Sequence, residues 1–213
     1  MGDVTVIVGT FGDAQWLRLA RERAIPSARA QTDRVIHCHA ATLHDARNDA
    51  LALVTTEWVI HLDADDELEP GYIDAMLAGA GDVRAPAVRY VRDGRAHRPP
   101  GVPQVWGHQH DCSGDCLPDG NWIVIGALAR TELVKAAGGW RDFTWSEDWD
   151  LWLRLWLRGA SITTQRDAVY RAHVRADSRN RAPTRAEKNA AHQAIYDANF
   201  PRGFAHDGLG AHQ

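Results

Sequence analysis

The sequence predicts an α/β fold with a mostly parallel central sheet flanked by helices, and three observations predict it. Short continuous apolar runs recur at Val4–Val8, Val35–Cys38 and Trp58–Leu62, the pattern of strands buried on both faces. Helical stretches separate them, the order that parallel crossovers impose. A chain of 213 residues, 45% of them hydrophobic, is long enough for one sizeable core and fits one ordinary domain.

Each element follows from its local pattern. The first strand, Val4–Val8, ends at Gly9-Thr10. A helix follows, with Trp16, Leu17 and Ala20 at helical spacing, and Pro26 is expected to end it. Val35–Cys38 is the second strand. Asp45–Leu53 reads as a helix with Asp45 near its positive end. The third strand, Trp58–Leu62, runs straight into Asp63-Ala64-Asp65-Asp66. In such sheets ligands bind outside the carboxyl ends of the strands, so Gly9-Thr10 and the acidic cluster are expected to line one crevice. Residues 92–121, rich in Gly, Pro, His and Asp, read as loops or a lid. Trp122–Ile125 reads as a strand, and Thr131–Ala137 as a short helix stopped by Gly138-Gly139. Glu147–Leu157 is a helix closed by Gly159, and Ser161–Thr164 a last strand. Thr184-Arg185-Ala186-Glu187 is a capping box that opens a terminal helix to about Asn199. The tail, 201–213, is expected to fray.

Composition excludes several classes of function. The formal net charge of −4 gives no general attraction to nucleic acid; the arginine-rich stretch Arg171–Arg185 is a local exception, open to reading as a phosphate contact or a solvated face. No apolar run approaches the ~20 residues that cross a bilayer, and the first residues lack a signal-peptide pattern. A cytoplasmic domain without an integral membrane segment is the expectation. Three cysteines, Cys38, Cys112 and Cys116, argue against a disulfide framework and suit a reducing compartment. Nine tryptophans suit cores and sugar-binding clefts alike.

Two acidic clusters carry the chemistry. Asp63 and Asp65, one residue apart at a strand end, can turn toward one point, and crowded carboxylates call for a cation or a shared proton. Hard Mg²⁺ or Mn²⁺ takes one or two carboxylates plus substrate phosphates; the bland alternative is an acidic turn capping the helix after Pro70. Glu147 and Asp148 begin a helix, where the dipole keeps a carboxylate ionised and ready to accept a proton. Taken alone, a plain acidic N-terminus with Ser146 as its cap explains them more economically.

Several motifs in order then resemble the family-2 inverting glycosyltransferases of GT-A fold. Val4-Thr5-Val6-Ile7-Val8-Gly9-Thr10-Phe11 is similar to the family's opening strand, and Ala46-Arg47-Asn48 to its Ala-Arg-Asn before the metal strand. His61-Leu62-Asp63-Ala64-Asp65-Asp66-Glu67-Leu68-Glu69-Pro70 is close to its Asp-x-Asp metal motif. Gly138-Gly139-Trp140, followed by Glu147-Asp148-Trp149-Asp150-Leu151-Trp152-Leu153-Arg154, resembles its acceptor and base region, and Tyr170-Arg171-Ala172-His173 its late histidine. The likeness covers roughly residues 4–178. It implies a nucleotide-diphosphate sugar donor, a hydroxyl acceptor (saccharide, lipid-linked or protein) and Mn²⁺ or Mg²⁺. It implies one catalytic domain over 1–200, with a donor-binding half at about 1–91, an acceptor and base half at about 92–180 and a C-terminal helix at about 184–199.

Position by position, the resemblance assigns Asp65 as chief metal carboxylate, with Asp63 helping to hold metal or nucleotide and His173 as a further metal or diphosphate contact. Thr10, Phe11 and Arg47 would contact the donor. Asp148 would be the general base, with Glu147 meeting the acceptor or orienting the site. Trp122, Trp140 and Trp145 are candidates for stacking on an acceptor sugar, whereas Trp149, Trp152 and Trp156 fall at helical spacing and read as core. After the second strand, Cys38-His39-Ala40-Ala41-Thr42 stands where the family usually has an acidic residue, so the nucleotide stays open. The Gln-x-x-Arg-Trp motif of processive members is absent, which favours single additions. His108, His110, Cys112 and Cys116 are possible zinc ligands without a strong zinc spacing. The other classes of function are a sugar-nucleotide or glycan-binding module without turnover and an Asp63-nucleophile phosphohydrolase.

Overall fold

The computed structural model describes residues 3–97, 114–175 and 184–201. Its described strands form one sheet: β1 (Val4–Phe11), β2 (Val35–Ala40), β3 (Trp58–Asp63), β4 (Glu67–Leu68), β5 (Val83–Arg92), β6 (Arg95–Ala96), β7 (Leu128–Arg130) and β8 (Ile162–His173). The order is β2-β1-β3-β7-β5-β8-β4, with β6 beside β5. The long pairings, β1 with β2 and β3 and β5 with β8, are parallel, and the short ones are antiparallel. The α/β class and the flanking helices are those expected. Val6, Ile7 and Val8 of β1 and Val59 and Ile60 of β3 are fully buried, each contributing about 1.5–3 kcal/mol through apolar burial.

The helices are α1 (Ala14–Leu19), α2 (Ile25–Arg29), α3 (Leu43–Ala52), α4 (Tyr72–Ala78), α5 (Thr131–Ala136), α6 (Glu147–Trp156) and α7 (Arg185–Asn199). α3 packs on β1 and β2, and α4 on β8. Pro26 does not end the first helical run. A π-helical turn, Ala20–Ala24, leads into α2, and Ile25 N–H reaches back to Ala20 O. That wider turn accommodates a residue without an N–H, so Pro26 sits in the opening turn of α2. The predicted capping box is complete: Thr184 and Glu187 hold each other's backbone N–H groups at the start of α7.

Three other expectations need correction. Trp122–Ile125 is not a strand; the sheet takes up Leu128–Arg130 further along the same apolar run, because apolar continuity alone does not say which residues pair. Gly126 lies against the ring of Tyr170, where a side chain would collide, so this stretch packs on an aromatic instead of a neighbouring strand. The last strand runs well beyond Thr164 to His173, with a register shift opposite Pro86/Ala87; Arg166 and Asp167 in the irregular stretch hide it from an apolar pattern. Finally, Cys116 is disulfide-bonded while Cys38 is a free thiol; an odd count leaves one thiol over and does not exclude a bridge. His108, His110 and Cys112 lie outside the described residues, as do most of the arginine-rich stretch and the tail from 202. No described helix is long and apolar enough to cross a membrane.

Candidate active site

The two acidic clusters meet in one cleft. β1 and β3 run parallel, with Gly9 beside Asp63, so Thr10 and Asp63 emerge at the same sheet end. The chain then turns through Ala64–Asp66 into β4, which pairs antiparallel with the end of β8, Glu67 opposite Arg171. The acidic turn thereby spans from the first half of the sheet to the second. A cleft of about 340 Å³ opens there, lined by Asp63 and Asp66 on one side and Glu147 and Asp148 on the other. Arg47, Tyr90, Asn121, Trp145, Lys188 and His192 complete much of its wall.

Arg47 joins the two sides. From α3 its Nη2 donates to Asp63 Oδ1 (2.8 Å) and its Nη1 to Glu147 Oε1 (3.0 Å), while the guanidinium lies 4.3 Å from the Trp140 ring centre. The side chain is only 3% exposed. Burial works against its charge, but Asp63 and Glu147 outweigh burial and raise its pKa. Gly9 makes room for it, since a Cβ there would stand 2.9 Å from Arg47 Cγ. The neighbouring Asn48 clasps the Gly138-Gly139-Trp140 turn: its Nδ2 donates to Trp140 O (2.9 Å), and Trp140 N donates to its Oδ1 (2.8 Å). Gly139, at φ +66, lets that contact close. Trp140 Nε1 in turn donates to His61 Nε2 (3.0 Å). Burial, then Arg47, pushes the His61 pKa down to about 3, so the ring is neutral and able to accept.

The acidic turn is crowded. Burial, then the charge of Asp63, pushes Asp65 up to about 6. Asp66 is raised well above the usual carboxylate range by burial, then by Asp65 and Asp63. Asp66 also accepts from Tyr170 Oη (2.8 Å) and from the His173 backbone N–H (2.7 Å). The His173 ring is engaged by Glu67, with Nε2 2.6 Å from Oε2. The turn does not cap the following helix, because Gly71, at φ 80, precedes α4 with no side-chain cap bond. Among the described residues no three His, Cys, Asp or Glu side chains gather into a metal-binding group, and a hard cation completed by phosphates needs only one or two.

On the opposite side, burial, then the charge of Glu147, pushes Asp148 up to about 7. Bonds from Asn121 and from the Trp149 N–H (2.9 Å) act the other way, as does Arg47. The helix start therefore does not hold Asp148 firmly ionised at neutral pH; loss of hydration outweighs the dipole. Nor does Ser146 cap α6. It sits at φ 57 with no side-chain cap bond, and its hydroxyl faces His192.

The other sequence candidates divide. Trp145 lines the cleft, and its indole N–H has no partner among the described residues. Trp122 and Trp140 are core residues, 5% and 3% exposed, as are Trp149 and Trp152, with Trp156 partly buried against them. The Thr10 hydroxyl is engaged by His37 Nε2 (2.9 Å) and His39 Nδ1 (3.1 Å), and Phe11 stacks on Trp16. Asp65 and His173 stand beside the cleft, outside its lining. Lys188 and His192 were missed, since nothing in the pattern of a capped terminal helix says what it packs against.

No curated protein matches the sequence. Residues 23–109 match the family described as glycosyl transferase family 2. Among solved structures, S. aureus TarS 1-349 in complex with UDP-GlcNAc aligns with a TM-score of 0.62 at 16% identity, over 94% of this chain and 67% of that one. The same protein in complex with UDP gives 0.53 at 16% identity, over 95% and 72%. S. aureus TarS gives 0.52 at 18% identity, over 94% and 44%. These likenesses fix the fold.

Proposed function

We propose that this chain, whose residues 23–109 match glycosyl transferase family 2 and whose fold is like that of S. aureus TarS, carries out inverting, metal-dependent transfer of one sugar from a nucleoside-diphosphate sugar to a hydroxyl acceptor. One observation carries the proposal: Asp63, Asp66, Glu147 and Asp148 line a single cleft, with Arg47 bonded to both Asp63 and Glu147. Binding of UDP-GlcNAc and UDP by a protein of the same fold nominates a uridine diphosphate sugar as the first donor to test.

Asp148 is the base. A carboxylate poised near neutrality accepts a proton best at the working pH, and the balance of burial, Glu147 and Arg47 sets Asp148 there. It takes the acceptor hydroxyl's proton as that oxygen bonds the anomeric carbon, on the face opposite the leaving diphosphate. The configuration inverts. Glu147, held by Arg47, keeps a second negative charge beside the base and thereby sustains its basicity. Trp145, whose indole N–H has no partner among the described residues, and Asn121 line the cleft with Asp148 and would meet the acceptor.

Mutual crowding of Asp63, Asp65 and Asp66 fits a divalent cation, which relieves repulsion between like charges. Asp65 and Asp63 would hold Mn²⁺ or Mg²⁺, with His173 as the further contact that the resemblance implies. When bound, the cation supplies neutralising charge to the leaving diphosphate. A thermal-shift screen of UDP, GDP and dTDP and their sugars, with and without Mn²⁺, tests this reading. A Mn²⁺-dependent rise with one nucleotide, lost in Asp65→Asn, is the expected result. No rise with any nucleotide sinks it.

A further inference from the structure

The residues around the proposed base are held by a helix that this reading leaves without a role. α7 packs against α6 and touches its first turn at several points. His192 Nε2 and Ser146 Oγ share a hydrogen bond of 3.1 Å, and the same imidazole lies 5.0 Å from the Trp149 ring. Further along, Asn199 Nδ2 donates to Asp150 Oδ1 (2.9 Å). Ile195, fully buried, anchors α7 in the core between these contacts. Ser146, Trp149 and Asp150 flank Asp148 on both sides, and α7 holds all three.

Ser146 makes the grip consequential. Its backbone occupies the left-handed region, φ 57 and ψ 31, where a residue with a side chain is strained and needs its surroundings to keep it. A serine before a helix ordinarily turns its hydroxyl onto the helix's own free N–H groups. This one points across the fold to α7 instead, so the entry angle of α6 depends on a contact 46 residues away in sequence. Burial, then Lys188, lowers the His192 pKa, which keeps the ring neutral.

We propose that His192 is a positioning residue for sugar transfer: through Ser146 it fixes the first turn of α6, and with it the direction in which Asp148 meets the acceptor hydroxyl. The inference rests on Asp148 being the base. Misplacing a reacting group by about 1 Å costs up to about a hundredfold in rate, whereas Arg47 and Asp63, on the donor side of this reading, are held by each other and by Glu147 with no hydrogen bond to His192.

The test is steady-state transfer from whichever nucleotide sugar the thermal screen identifies, using the full chain. His192→Ala is expected to lower kcat about ten- to a hundredfold with donor KM within twofold. His192→Gln, whose amide can still reach a hydroxyl, should restore most of kcat. Ser146→Ala should resemble His192→Ala, and the double variant should be little worse than either. Wild-type kcat in His192→Ala overturns the proposal; so does equal loss in the Ala and Gln variants, or full additivity in the double variant. Asp148→Asn separates the two readings. If it still turns over, the base assignment fails, whereas an inactive Asp148→Asn beside a fully active His192→Ala removes only the role of His192.

Discussion

Asp148→Asn should abolish transfer and at the same time stabilise the protein at neutral pH. The folded protein raises this carboxyl from an ordinary 3.8 to about 7, chiefly by burial and then by the charge of Glu147. Below pH 3.8 both folded and unfolded chains carry it protonated, and it contributes nothing. As pH rises toward 7 the unfolded chain releases the proton while the folded chain keeps it, so stability falls through that window. Above pH 7 the folded chain carries a dehydrated charge at full cost. Raising the carboxyl from 3.8 to about 7 corresponds to about 4 kcal/mol, an upper limit because the group lines an open cleft. The amide is isosteric and uncharged, and it can still accept from the Trp149 N–H, so the variant escapes the cost. For a chain of this size about 4 kcal/mol is on the order of ten degrees in Tm. Thermal denaturation of both proteins at pH 5 and pH 8, without ligands, reads the effect. The Asn variant should gain clearly more at pH 8 than at pH 5. An equal gain at the two pH values, or a loss at pH 8, would refute the reasoning that burial sets this group.

The same carboxyl predicts the rate profile: kcat/KM should rise about tenfold per pH unit up to an apparent pKa near 7, and Glu147→Gln should move that limb to lower pH by removing a neighbouring charge. A limb that stays in place would mean that another group titrates. Arg47→Met leaves Asp63 and Glu147 facing each other without their shared partner, and urea unfolding should show a loss of about 3–5 kcal/mol. Arg47→Lys should rescue only part of it, because one ammonium cannot reproduce two separately directed N–H bonds. Gly126→Ala should be destabilising by urea or heat, because the new methyl would displace the Tyr170 ring and with it the hydroxyl that holds Asp66; unchanged stability would show that the ring has room to move.

Much of the fold was legible because its signals are local. The buried strands β1 and β3, the Ala46-Arg47-Asn48 helix, the acidic turn after β3 and the capping box of α7 each announce themselves within about ten consecutive residues, through apolar continuity, helical spacing or turn chemistry. That Asp63 and Asp148 line one cleft was reachable only through the family resemblance, since the two lie 85 positions apart in the chain. The first helix misled for a different reason. Proline forbids a regular turn, and the sequence does not advertise the π-helical turn that absorbs it.

What the sequence determined by itself was the inventory: an α/β sheet, two acidic clusters at element ends, and an arginine and tryptophans within reach of them. Tertiary structure alone decided the state of each. Arg47 became a bridge between Asp63 and Glu147, Trp140 its ring support, Asp148 a carboxyl near neutrality and His192 a partner of Ser146. The physical reason is that backbone hydrogen bonding and apolar periodicity act between near neighbours in the chain. Loss of hydration and charge pairing depend on whatever the fold brings alongside.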